Sequence, residues 1–134
     1  MFDLSATFGE VKYHEFGIRN ISYSLDETDP VVTIEVGHYL QREIVKLTFK
    51  GVFYHAVMSE SFIFMNDEDQ WEADIFIAKA QNSELIQWVA SYTLLGAGHI
   101  VELDKLSHYR VYAQDHFIDL VCSEKPAMAL VSGT

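Results

Sequence analysis

The sequence predicts an α+β fold: a bent antiparallel sheet of five or six strands with one main helix packed on a face. Three observations carry that expectation. Apolar and polar residues alternate through EIVKLTFKGVFYHAV, Glu43 to Val57, the longest strand pattern in the chain. Further alternating runs are joined by turn chemistry at Asp26–Pro30 and at Gln114-Asp115. A single good helical repeat, Ser83 to Leu95, ends in glycine.

In chain order, Met1 to Lys12 has no firm periodicity, although Phe2, Leu4 and Phe8 are suited to pack on the sheet as an arm. Ile18 to Leu25 puts Ile21, Tyr23 and Leu25 on one face, and Val31 to His38 alternates Val32, Ile34 and Val36 against Thr33 and Glu35. DETDP between them makes a hairpin with a longer loop. The Glu43–Val57 stretch then completes a meander. Its buried set, Val45, Leu47 and Phe49, loses phase at Gly51 and resumes at Val52 and Tyr54. A glycine inside such a pattern marks a bulge, so one long bent strand is expected. The alternative is two short strands joined at Lys50-Gly51.

SFIFM, from Ser61, reads as a short edge strand, and NDEDQ after it as a solvated turn. Trp71 to Ala80 alternates again and is expected as one strand. The helix follows, capped by Asn82 or Ser83, with Glu84 near the positive end of its dipole. Leu85, Ile86, Val89 and Ala90 form its apolar face, and Gly96 ends it. The last hairpin joins His108–Ala113 to His116–Cys122. Closing its turn at Gln114-Asp115 sets Val111 opposite Ile118, Arg110 opposite Asp119 and Tyr109 opposite Leu120. A single domain over residues 1–134 is expected, with an ordered core of about 13–122. The tail, residues 123–134, should be loose or an edge addition.

The 134 residues, 49% hydrophobic and 13% aromatic, suit one folded domain with a real core. The single cysteine, Cys122, excludes an internal disulfide and suits the reducing cytoplasm. The N-terminus reads as no secretory signal, and no apolar run is long enough to span a membrane. A net charge of −11 disfavours nucleic acid and anionic membranes as partners and favours a basic protein.

No motif for catalysis or cofactor binding stands out. The six histidines, at 14, 38, 55, 99, 108 and 116, contain no HExxH pair, so no metal site is expected. Gly96-Ala97-Gly98 follows a helix instead of opening one, which is wrong for phosphate. Cys122, inside a strand, reads as a small buried hydrophobe. Asp119 shares a strand face with Phe117 and Val121, where a carboxylate could serve as acid or base. Its cross-strand neighbour Arg110 offers the simpler account, a structural ion pair.

The acidic stretch is different. Gly51 to Ala78 carries Glu60, Asp67, Glu68, Asp69, Glu72 and Asp74 without one Lys or Arg, and aromatics are interleaved. Interfaces favour aromatic anchors, and charge selects the partner. Asp67, Glu68, Asp69, Trp71 and Glu72 are therefore the candidate partner contacts.

His14-Glu15, the strand bearing Ile18, Ile21 and Tyr23, KLTFKGVFY (Lys46 to Tyr54) and HYRVYAQDHFIDLVC (His108 to Cys122) follow one another along the chain. In that order they resemble small bacterial domains of unknown function, some of them grouped with immunity proteins of polymorphic toxin systems. The resemblance implies a non-enzymatic cytoplasmic protein that binds and blocks a basic toxin, and it transfers no site residue. The competing reading is a small-ligand or enzymatic domain with a pocket between sheet and helix. That reading takes Asp119 and a nearby histidine as its polar groups and calls for an apolar cavity holding an unpaired carboxylate. Homo-oligomerisation through edge strands stays open.

Overall fold

The structure, a computed structural model, describes residues 8, 12–25, 30–59, 70–92, 103–114 and 116–132. The strands are β1 (Phe16–Leu25), β2 (Pro30–His38), β3 (Glu43–Lys50), β4 (Val52–Ser59), β5 (Trp71–Ala73), β6 (Ile77–Ala80), β7 (Ser107–Tyr112), β8 (His116–Cys122) and β9 (Ala127–Ser132). A helix, α1 (Glu84–Tyr92), and 3₁₀ turns at Tyr13–Glu15 and Leu103–Lys105 accompany them. The fold is α+β, with two antiparallel sheets ordered β1-β2-β3-β9 and β4-β8-β7-β6-β5. No helix among the described residues is long and apolar enough to cross a membrane.

The expected long bent strand is thus two strands in two sheets, and Gly51 is the reason. Its φ of +62° lies in the left-handed region, where a side chain is strained. The Ser123 amide donates to the Gly51 carbonyl at 3.0 Å, and a Cβ on Gly51 would stand 2.2 Å from Ser123 Oγ. One backbone reversal therefore ends β3 and sends β4 into the other sheet. The ladder irregularity between β4 and β8 falls just beyond it, between Val52 and Tyr54.

The two sheets share a core. Val32, Ile34, Val36, Val45, Leu47 and Phe49 from the first meet Tyr109, Val111, Ile118, Leu120 and Cys122 from the second. Phe49 lies 5.9 Å from Tyr109 and Phe16 4.9 Å from Phe76, ring centre to ring centre. Phe8, of the expected arm, is buried edge-on to Phe16, while Phe2 and Leu4 lie outside the described residues. In the first hairpin, Ile21 and Tyr23 pair with buried Ile34 and Val32, so they share the core side. Standing on the edge strand they remain exposed, Tyr23 by 51%.

The second sheet is buried on both faces along its central strands β7 and β8. Along β7, Tyr109 and Val111 face the inter-sheet core while His108 and Arg110 are buried on the other side. That outer face receives α1: Val89, Leu85 and Ile86 pack with Leu106, Val121, Phe53 and Tyr54. The helix begins where expected, because Ser83 Oγ accepts the Ile86 amide at 3.1 Å. Its described part stops at Tyr92, and Gly96 lies outside the described residues.

One further expectation changes. Trp71–Ala80 is not one strand but the tight hairpin β5–β6, pairing Trp71 with Ala80 and Ala73 with Ala78. The chain turns at Asp74, whose carboxylate accepts the Ile75 amide at 2.9 Å and whose own amide donates to the Ile77 carbonyl at 2.7 Å. The tail takes the second form expected of it, an edge addition: Ala127–Ser132 pair with the open edge of β3, with Met128 opposite Leu47 and packed on the core. The SFIFM segment lies outside the described residues.

Replacing Gly51 with Ala imposes left-handed strain and displaces Ser123. Stability should fall by roughly 2 kcal/mol. Urea unfolding would measure this, and a loss near zero would remove Gly51 as the point that separates the sheets.

Candidate functional site: the outer face of the five-stranded sheet

The expected register of the last hairpin forms: Arg110 stands opposite Asp119, Val111 opposite Ile118 and Tyr109 opposite Leu120. Because β6 pairs Ala78 with Arg110 and β4 pairs Ala56 with Asp119, one transverse row crosses the whole sheet. It reads Ala73, Ala78, Arg110, Asp119, Ala56. Two charged side chains are thus set in a row of alanines, with aromatic residues on the flanking rows.

Both charges are buried. Arg110 Nε donates to Asp119 Oδ1 at 2.8 Å and Nη2 to Oδ2 at 3.2 Å, a bidentate pairing that fixes the guanidinium plane. His108 Nε2 lies 2.9 Å from the same Oδ1. An ionised carboxylate only accepts, so Nε2 carries the ring hydrogen and Nδ1 is left to accept. The Ser83 hydroxyl, 2.8 Å away, donates to Nδ1 while its oxygen caps α1. Trp71 closes the cluster: the Arg110 guanidinium carbon lies 4.8 Å from its ring centre, and the His108 ring meets it edge-on at 4.9 Å. Burial alone would push the Asp119 carboxyl up. The hydrogen bonds and charges of His108 and Arg110 outweigh it and hold the group below the ordinary carboxylate value.

Ser83, His108 and Asp119 touch in the sequence a hydrolase triad uses, but the chemistry does not follow. Ser83 is only 9% exposed, and its oxygen already accepts the Ile86 amide. A nucleophilic serine needs an open path to substrate. The array instead ties the start of α1 to β7 and β8.

Beside it opens a cavity of about 480 Å³, lined by Tyr13, Trp71, Ala73, Ala78, Arg110, Tyr112 and Phe117. The alanines leave the space and the aromatics wall it. Tyr112 stacks on Phe117 with ring centres 6.1 Å apart, and Tyr13 meets Tyr112 edge-on at 5.3 Å. Tyr112 donates its hydroxyl to the Asp74 carbonyl at 2.5 Å, and burial, then Asp74 and Tyr13, pushes its phenol up to about 12. The competing sequence reading asked for a pocket holding an unpaired carboxylate. A pocket is present on the sheet, but no α1 residue is among its described lining, Asp119 is paired, and Arg110 is the charged group that borders it.

Of the candidate partner contacts, Asp67, Glu68 and Asp69 lie outside the described residues. Trp71 is half-buried over Arg110, and Glu72 is exposed, its carboxylate accepting from Gln81 Nε2 at 3.2 Å. The described histidines go separate ways. His38 is buried near Glu15, His55 stacks on Tyr23, and His108 joins the ion pair. His99 and the side chain of His14 lie outside the described part. Among the described residues no cluster of three or more metal-ligating side chains gathers. Cys122 is buried, which drives its thiol up to about 12. Sequence reasoning put a nearby histidine beside Asp119 without singling out His108, and it missed Ser83 as a partner and Tyr13, Ala73, Ala78 and Tyr112 as pocket walls. The one available signal was the spacing His108-x-Arg110-x-Tyr112, three polar-tipped residues on a single strand face.

No family model matches the chain, and no curated protein or solved structure matches it either.

Two outcomes follow from this geometry. Asp119→Asn leaves Arg110 buried without its counter-charge and should lower stability by about 3–5 kcal/mol at neutral pH. The folded carboxyl titrates below its unfolded value of about 3.9. Its contribution is therefore present above about pH 4 and is lost as pH falls through the lower folded value. Wild type should show that acid loss, and the Asn variant should show a shallower one. The paired change Arg110→Met with Asp119→Leu should recover most of the stability; a double variant as weak as the single one would contradict the pairing. Separately, Cys122 should resist a thiol-reactive disulfide reagent at pH 8 in the folded protein and react on unfolding. Rapid reaction in native buffer would show the thiol to be accessible.

Proposed function

We propose that this chain is a binding module without catalytic activity, and that its site is the aromatic pocket beside Arg110, which receives a small organic ligand. The observation that carries this reading is the cavity itself. At about 480 Å³ it falls in the range of small-molecule sites, its described walls are aromatic rings and alanines, and the charged group among them is Arg110. The described polar side chains of the adjoining array are engaged with each other: Ser83 with His108 and the helix, His108 and Arg110 with Asp119. Such closure stabilises a site and leaves no free base or nucleophile in this array.

The test is a dye titration. Nile red, an uncharged fluorophore that brightens in apolar surroundings, should bind wild type saturably at one site. Ala73→Leu fills the pocket from an exposed position on β5 and should abolish that signal with an unchanged melting temperature. Equal binding by both proteins would overturn the pocket as the site.

A second reading is supported by charge. Exposed Glu72 adjoins the half-buried Trp71 on edge strand β5, in a chain of net charge −11. An acidic rim around an aromatic anchor suits a basic protein partner. With the resemblance noted above, this makes the chain an immunity-type inhibitor of a basic toxin in the bacterial cytoplasm. Neutralising Asp67, Glu68, Asp69 and Glu72 together should then release a basic protein that the folded wild type retains, and added salt should do the same. Retention by the neutralised variant would remove these acids from the interface.

A further inference from the structure

We propose that the pocket selects an uncharged, flat ring system carrying one acceptor oxygen, such as a carboxamide or ketone, and that Arg110 Nη1 donates to that oxygen. The proposal rests on the small-ligand reading above and names the ligand class. Three features of the cavity lead to it, and each removes an alternative.

The first is the donor. Arg110 gives Nε and Nη2 to Asp119, and its Nη1 has no acceptor among the described residues. Arg110 borders the pocket, so an uncommitted guanidinium N–H is available to a ligand there. The bidentate clamp on Asp119 and the Trp71 ring fix where that N–H points, so a ligand meets it preorganised. A purely hydrocarbon ligand would cover this donor and leave it unsatisfied, which is unfavourable.

Charge is the second feature. The Arg110 charge is already balanced by Asp119, and the chain as a whole carries −11. A carboxylate or phosphate would enter a site with no net positive charge, against the field of the protein. An ammonium group would meet the guanidinium directly. One face of Trp71, where a cation would otherwise be held, is taken by Arg110 itself. A neutral acceptor satisfies the donor without either penalty.

Shape is the third. Ala73 and Ala78 form a flat floor where any larger residue would protrude, and Trp71 stands on one side with Tyr112 and Phe117 on the other. The stacked Tyr112–Phe117 pair, with rings 15° from parallel, presents aromatic surface to a planar guest.

Three probes of one ring size separate these factors: 2-naphthamide, 2-naphthoate and 2-naphthylmethylammonium. Binding is read at pH 7 from the Trp71 indole N–H and Arg110 Nε–H nitrogen-15 resonances. The amide should shift both signals saturably and bind at least about five-fold tighter than either ion, in line with one charge-assisted hydrogen bond. Ala73→Leu should abolish the shifts while leaving the melting temperature in place. Arg110→Lys keeps a positive charge facing Asp119 but removes the fork, so the amide should lose its advantage and the three probes converge. If the Lys variant does not fold, the probe ranking in wild type still decides. Naphthoate or the ammonium binding tightest would overturn the ligand class while leaving the pocket reading intact. Absence of binding by all three probes and by Nile red would overturn both. Shifts that persist in Ala73→Leu would place the binding elsewhere and overturn the assignment.

Discussion

The bidentate contact between Arg110 and Asp119 is the constraint on which the outer half of this molecule depends. A buried ion pair gains little over an apolar pair of the same volume, but losing one partner is severe, because the survivor is left charged and dry. The same carboxylate takes His108, and through His108 and Ser83 the first turn of α1 is held to β7. The same guanidinium takes the ring of Trp71, and so reaches β5 across β6. Four elements are thus positioned by one salt bridge. On this path Arg110 Nη1 has no acceptor among the described residues, and Arg110 borders the cavity.

Burying such a pair requires a sheet covered on both sides, and Gly51 makes that arrangement. Had the Glu43–Val57 stretch run on as a single strand, one continuous sheet would have faced solvent on its second side. The left-handed turn at Gly51 splits the stretch, and the resulting first sheet covers the inner face of the second. The outer face is then left to α1 at one end and to the aromatic pocket at the other. Tyr109 and Val111 supply the inner packing while His108 and Arg110 face outward, so one short strand serves the core and the site together.

The cavity owes its existence to small residues placed in register. Ala73, Ala78 and Arg110 come from three different strands and lie in one row only because β5 and β6 turn tightly at Asp74. A continuous Trp71–Ala80 strand would have carried Trp71 away from Arg110. The hydrogen bond from the Tyr112 hydroxyl to the Asp74 carbonyl anchors this turn to the pocket wall, so turn and wall are parts of one construction.

What the sequence determined by itself is the set of local patterns. Period-two alternation placed the first hairpin, the β3 core residues and the last hairpin with its register, because a one-residue slip there would expose every buried side chain. Ser83 and the helical repeat after it placed the start of α1. Only the tertiary structure decided the rest. Alternation reports that a residue is buried, not which partner sheet buries it, so it left open whether the stretch bends or divides at Gly51 and whether the tail is loose or pairs as β9. The site was half visible for the same reason. Arg110 and Asp119 are hairpin neighbours and follow from register. Trp71 and Ser83 reach them through strand order and helix docking, which no short window of sequence contains.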